Sequence, residues 1–117
     1  MEHLLRHFDR PDEVREFPKG RLEIVTVNGS TFGRATYQPG WKWSEHVRPT
    51  AATELCEVEH LGLVLAGHGV AAMNDGTILD LTPGTLFYIP ATPHDSWVVG
   101  NEPYVSLHLQ GAQHYAK

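Results

Sequence analysis

The chain has 117 residues, 41% of them hydrophobic, so it can bury the core of one domain but not of two ordinary ones. Its formal net charge is -5 and its 9 Lys and Arg residues do not cluster, which argues against binding to a phosphate backbone. We therefore expect a small molecule or another protein as its partner, and no nucleic acid.

The cysteine content and the hydropathy pattern bear on the compartment. Cys56 is the sole cysteine, so no disulfide can form within the chain, which favours the cytoplasm. No run approaches the roughly eighteen apolar residues of a membrane-spanning helix, and the first residues lack the uninterrupted apolar stretch of a secretory signal. We expect a cytoplasmic chain that does not associate with a membrane.

Residues 1–20 carry the helical signal of the sequence. Pro11 stands where a first turn would begin and acidic residues follow it, a pattern that predicts a helix of one or two turns. We expect residues 1–20 to form an N-terminal arm that contains this short helix or is irregular.

Residues 21–117 have a different character. Short runs of β-branched and aromatic residues alternate with turn signals such as "NGS", "QPG", "NDGT" and "TPGT". About seven or eight strands at this spacing, without intervening helices, indicate an all-β sandwich or barrel.

The stretch from Cys56 to Ala66 has two unequal faces if it is extended, because alternate residues of a strand point to opposite sides. One face carries small residues beside His60, and the other carries leucines. Small residues leave space that large ones would fill, so we expect their face to line a cavity. The alternative is that the leucines form the core and another strand covers the small face.

Two stretches of the sequence show regular spacings of glycine and histidine. Five residues separate Gly40 from His46, and six separate His60 from Gly67. This combination is similar to the first of two motifs that mark the cupin family.

The second cupin motif is legible further along the chain. Five residues separate Gly84 from Pro90, and His94 follows in "IPATPHDSW". Together the two stretches resemble a single-domain cupin, a small double-stranded β-helix barrel of the jelly-roll class.

The sequence also departs from the cupin pattern. Arg48 stands where the first motif has its second histidine, and His60 replaces the acidic ligand. About seven residues are inserted between these positions, compared with the motif spacing. Thr92 replaces a glycine, His94 comes one residue early, and Val98 replaces the final asparagine. The usual ligand set of three histidines and a glutamate is therefore not preserved.

The resemblance implies that His46, His60 and His94 point into one cavity of the barrel. Three neutral imidazoles can hold one divalent transition metal and leave coordination positions open for a small organic ligand. The candidate metals are Zn, Fe, Ni and Mn.

Three nearby residues are further candidates for the site. Cys56 could complete a tetrahedral metal site as a thiolate, or be an inert buried cysteine. Glu54 could supply the missing carboxylate if the inserted segment folds over the cavity. Arg48 could hold a carboxylate or phosphate of the ligand, or face solvent.

Aromatic residues and a late histidine lie close to these positions in the sequence. Trp43, Tyr88 and Trp97 could exclude water or stack on a ligand, or could fill the core or a dimer interface. His108 could support the metal ligands or act as a general acid or base, or lie on a solvated face.

These observations favour a metal-binding cupin that holds a small organic ligand, with oxygenase and isomerase or lyase reactions as the activities that the family implies. The alternatives are a sensor or binding module without turnover, and a degenerate cupin that has lost its metal. We also expect a homodimer, because an exposed sheet edge or apolar face favours pairing.

Overall fold

The computed structural model describes residues 3–51 and 53–116. Within these residues the chain forms nine β-strands, one α-helix of a single turn and two 3₁₀ turns. The strands are β1 (Glu13–Phe17), β2 (Gly20–Val27), β3 (Ser30–Tyr37), β4 (His60–Ala66), β5 (Gly69–Met73), β6 (Ile78–Leu81), β7 (Leu86–Ile89), β8 (His94–Val98) and β9 (Tyr104–Gln110). The helix α1 spans Trp43–His46, and the 3₁₀ turns span Arg48–Thr50 and Ala112–His114. None of the described helices has the length and apolar character needed to cross a bilayer.

The strands form two antiparallel sheets. The larger sheet has the order β1-β2-β3-β9-β4-β7, and the smaller has the order β6-β5-β8. Leu22 and Val64 of the larger sheet and Ala71 and Leu81 of the smaller sheet belong to one hydrophobic core. Two antiparallel sheets around one core confirm the predicted all-β jelly-roll barrel.

The N-terminal segment differs from its predicted helix, because no helix occurs in residues 3–20. Glu13–Phe17 instead forms β1, which pairs with β2 along its whole length through a turn that places Lys19 at φ 62. The Phe17 ring packs against Tyr37 at a centroid distance of 6.0 Å. Strand pairing and this burial outweigh the local helical signal, since propensity is a weak preference. The larger sheet therefore begins within the segment expected to be an arm.

Residues 3–12 are irregular, which was the expected alternative to a short helix in this segment. Arg6 donates a hydrogen bond to Asp12 at 2.6 Å, and Arg34 of β3 donates one to Asp9 at 2.8 Å. The Arg34 guanidinium also lies 5.4 Å from the centroid of the Phe8 ring. The two contacts of Arg34 join the irregular segment to β3, whereas the Arg6–Asp12 hydrogen bond lies within the segment.

β4 has the predicted alternation of faces. His60, Gly62 and Val64 are buried, whereas Leu61 and Leu63 between them are partly exposed and Leu65 after them is 47% exposed. A Cβ atom added at Gly62 would clash with the backbone carbonyl oxygen of Leu107 in β9 and lie 2.6 Å from the Phe87 ring, so the strand depends on glycine for its close approach to β9. The small face therefore points into the barrel and presents His60 to its interior.

Candidate metal centre

Cys56 and His94 are held side by side by their backbones. The N–H of Cys56 donates to the carbonyl of His94 at 2.8 Å, and the N–H of His94 donates to the carbonyl of Cys56 at 3.0 Å. Cys56 lies four residues before β4 and His94 opens β8, so this isolated bridge joins the segment that leads into β4 to the smaller sheet. Residues paired in this way have neighbouring side chains, which brings the thiol and the imidazole together.

His60, the first residue of β4, completes a compact group with them. Its Nε2 lies 3.4 Å from the Sγ of Cys56. One ligand atom from each of Cys56, His60 and His94 lies within 4.8 Å of the other two. The three residues are 2%, 5% and 2% exposed, respectively. Among residues 3–51 and 53–116, no other set of His, Cys, Asp and Glu side chains forms a comparable group. We call these three residues the Cys-His-His cluster.

The hydrogen bonds of the two imidazoles indicate which ring atoms can bind a metal. The Nδ1 of His94 lies 2.8 Å from the carbonyl oxygen of Thr92 and therefore carries the proton. This tautomer leaves the lone pair of His94 on Nε2, the arrangement commonly seen in metal-ligating histidines. The Nδ1 of His60 has no hydrogen-bond partner among the described residues.

Burial fixes the protonation states of the cluster. It lowers the pKa of His60 well below the usual range, with further lowering from His108 and His94. Burial also lowers the pKa of His94. The same effect raises the pKa of the Cys56 thiol to about 12. At neutral pH the imidazoles are therefore in the neutral, ligating form, and a metal that binds the thiol would displace its proton.

A cavity of about 40 Å³, the inner cavity, lies inside the barrel beside the cluster. All three cluster residues line it, together with Trp97 and His108. Trp97 and His108, which were expected to lie near a cavity, thus both line this one.

His108 of β9 is a buried neighbour of the cluster. It is 4% exposed, so the alternative of a solvated face does not hold. Its ring centroid lies 5.5 Å from that of His60, and its Nε2 lies 3.4 Å from the Oγ of Ser106. Burial lowers its pKa to about 4, so this imidazole is also neutral at pH 7.

His46 lies outside the group that the structure forms. It ends α1 and is half-buried, and its Nδ1 accepts a hydrogen bond from the Lys42 N–H at 2.9 Å. The residues after Gly40 form a helical turn here, so the ring faces its own backbone. The structure thus brings together two of the three predicted histidines, and the third donor in the group is Cys56.

The inserted segment does not bring Glu54 to the cluster. Glu54 and Arg48 are both exposed. Arg48 donates from Nε to the backbone carbonyl of Glu54 at 2.7 Å, which fixes the segment internally. The proposed roles of the Glu54 carboxylate and the Arg48 guanidinium in the site therefore have no contact in the structure to support them.

The other two predicted aromatic contacts lie away from the inner cavity. Trp43 is buried in the core and lines a separate cavity on the outer side of the cluster. Tyr88 is 54% exposed, and its hydroxyl donates to the Glu59 carboxylate at 2.6 Å. Of the three predicted aromatic residues, only Trp97 lines the inner cavity.

Tyr115 is buried against the cluster, although no sequence pattern indicated it. Its ring centroid lies 5.0 Å from that of His60, and its hydroxyl accepts a hydrogen bond from Tyr37 at 2.8 Å. The local signal is only an aromatic residue a few positions after Gly111, which is not specific.

Two antiparallel sheets around a histidine-lined interior define a cupin-like β-barrel. No protein-family model and no curated protein sequence matches the chain. Solved structures do match its fold. A protein of unknown function from Rhizobium leguminosarum bv. viciae is 20% identical, with a TM-score of 0.65 over 92% of this chain and 95% of that one.

Two further structures are similar over most of this chain. A protein of unknown function (DUF1255) from Acidithiobacillus ferrooxidans is 19% identical, with a TM-score of 0.61 over 84% of this chain and 86% of that one. The oxalate decarboxylase of Lactobacillus farciminis, in a formate complex, is 18% identical, with a TM-score of 0.57 over 82% of this chain and 30% of that one. At these identities the similarity shows the fold alone.

Proposed function

We propose that this chain binds one divalent transition metal through the Sγ of Cys56 and the imidazoles of His60 and His94. The observation that carries the proposal is the grouping of three buried donor atoms within 4.8 Å of one another. This ligand set replaces the three histidines expected from the sequence, with Cys56 in place of His46.

The donor set fits zinc. A tetrahedral Zn²⁺ with its usual bond lengths separates a sulfur and a nitrogen ligand by about 3.6 Å. The Sγ of Cys56 and the Nε2 of His60 are 3.4 Å apart. A thiolate with two imidazoles also favours Zn²⁺ over Mn²⁺, which prefers oxygen ligands. Three protein ligands and one open position are typical of zinc sites that bind a substrate or water.

The inner cavity limits what can occupy the open position. Its 40 Å³ has room for roughly three water-sized groups, about the size of a carboxylate. We propose that the ligand is a small organic molecule that presents such a group to the metal. A bound metal would supply Lewis-acid activation of that group. Trp97 limits the access of water to the cavity, and the neutral His108 can exchange a proton with a bound ligand.

A small ligand held by a metal at the Cys-His-His cluster is compatible with both an enzyme and a sensor, the two classes of function considered from the sequence. Oxygenase or isomerase and lyase chemistry would act on the bound ligand, whereas a sensor would only retain it. The homodimer and the cytoplasmic location stay predictions of the sequence.

Elemental analysis tests the proposal directly. Protein purified without a metal-affinity step should contain about one transition metal per chain, or take up one equivalent of Zn²⁺ after chelation and reloading. Protein that is metal-free and cannot be reloaded, while its circular dichroism shows a folded β-protein, would exclude the proposed site.

A further inference from the structure

A second cavity reaches the Cys-His-His cluster from outside the barrel. This outer groove, of about 180 Å³, lies between the stretch that contains the insertion and the segment 111–116. Its lining includes Trp43, Val47, Ala51, Val58, Tyr115 and Ala116. Cys56 and Tyr115 line both the outer groove and the inner cavity, so they form the wall between them.

Tyr115 belongs to a segment outside the sheets, so no strand pairing holds it in this wall. Its ring stacks on His108 at a centroid distance of 5.5 Å and meets His60 edge-on at 5.0 Å. Its hydroxyl is held by the Tyr37 hydroxyl at 2.8 Å. The side chain is therefore inserted from the segment 111–116 against the imidazoles of the site.

One arginine fastens this segment to β1. The guanidinium of Arg15 donates to the carbonyl oxygens of Ala112 at 3.1 Å, Gln113 at 3.1 Å and Tyr115 at 2.6 Å. The Nε of Arg15 is in turn held by the Glu13 carboxylate at 2.7 Å. Hydrogen bonds from a charged donor are stronger than neutral ones, and the planar guanidinium can reach several acceptors at once. Arg15 thus links the segment to β1 through three hydrogen bonds.

The remaining walls of the inner cavity are harder to open. They consist largely of strands of both sheets, whose backbones are joined by antiparallel ladders. At one end the Tyr37 ring stacks on Trp41 at 3.8 Å and on Tyr104 at 5.7 Å. Displacing a short segment outside the sheets costs less than separating paired strands.

We infer that the outer groove is the route by which a metal ion reaches the Cys-His-His cluster. The Tyr115 side chain closes this route, and the hydrogen bonds from Arg15 hold it in place. The groove lining contains one carboxylate, Glu57, which suits the passage of a cation. The inference rests on the proposed function for what passes through the groove. The exposure of the Cys56 thiol, in contrast, reports on the closure whether or not a metal binds.

The test follows modification of Cys56 by Ellman's reagent in the metal-free protein. Arg15→Ala and Tyr115→Ala should each increase the modification rate by about tenfold or more, because each allows the wall to open. Tyr115→Phe keeps the ring and should stay close to the parent. Arg21→Ala is the matched control, since Arg21 pairs with Glu16 and Glu23 on the same sheet. Its rate should stay within about twofold of the parent.

Urea titrations distinguish opening of the segment from unfolding of the barrel. If only the segment opens, Cys56 in the variants should be modified faster than in the parent. This rate should change little at low urea concentrations, because opening the segment exposes little surface. Rates equal to the parent in both Arg15→Ala and Tyr115→Ala, or rates that rise only in step with global unfolding, would overturn the inference.

A metal readout separates this inference from the proposed function. If the parent binds Zn²⁺, Arg15→Ala should release it to a chelator about tenfold faster. A parent that binds no Zn²⁺ contradicts the proposed function, and the thiol measurement still decides whether Tyr115 closes the groove.

Discussion

Alanine at any residue of the Cys-His-His cluster is expected to weaken Zn²⁺ binding by roughly 10²- to 10³-fold. The reason is that each variant removes one of three protein ligands from a buried site. Competition with a chromophoric chelator at fixed pH measures the loss in Cys56→Ala, His60→Ala and His94→Ala. The three losses should be similar in size.

His46→Ala is the matched control for these variants. His46 was expected to be a ligand, but its Nδ1 faces the Lys42 backbone and it lies outside the cluster. Its replacement should leave Zn²⁺ affinity within about threefold of the parent. A loss in His46→Ala as large as that in His94→Ala would contradict the assignment of Cys56 as the third ligand.

The metal-free protein is expected to lose stability steeply as the pH falls from 7 to 5. Folding lowers the pKa of His108 from 6.5 to about 4, so the unfolded chain binds a proton that the folded chain excludes. The stability contributed by the neutral form is therefore present above pH 6.5 and is lost on acidification towards pH 4. His108 alone accounts for about 2 kcal/mol between pH 7 and pH 5.

Urea unfolding of the parent and of His108→Leu at both pH values measures this effect. The variant should lose about 2 kcal/mol less than the parent over the same interval, because leucine has no proton to bind. Burial also lowers the pKa values of His60 and His94, so the variant keeps part of the dependence. Equal pH dependence in parent and variant would contradict the buried, neutral state of His108.

The strand pattern was largely readable from the sequence, because turn residues and alternating faces are local properties. The stretch that became β4 shows this, since its small residues placed His60 inside the barrel. β1 was not readable, because its local helical signal is overridden by pairing with β2. That pairing is a long-range interaction and leaves little trace in the segment itself.

Part of the candidate site was predictable, because motif spacing is a local property of the sequence. The two motif-like stretches pointed to His60 and His94, which lie at the starts of β4 and β8. The spacing that pointed to His46 assumed a strand, whereas the chain forms α1 there. Cys56 enters the group through its backbone bridge to His94, and only the folded chain shows this contact. Tyr115 was missed because its position depends on Arg15, a hundred residues earlier in the chain.

The absorption spectrum of the Co²⁺-loaded protein tests the central claim most directly. Co²⁺ commonly occupies tetrahedral zinc sites, and a thiolate ligand gives it a charge-transfer band in the near ultraviolet. We expect this band in the parent and in His46→Ala, and its loss in Cys56→Ser. A parent that binds Co²⁺ without the band, and that loses the ion in His46→Ala but not in Cys56→Ser, would contradict the Cys-His-His cluster in favour of three histidines.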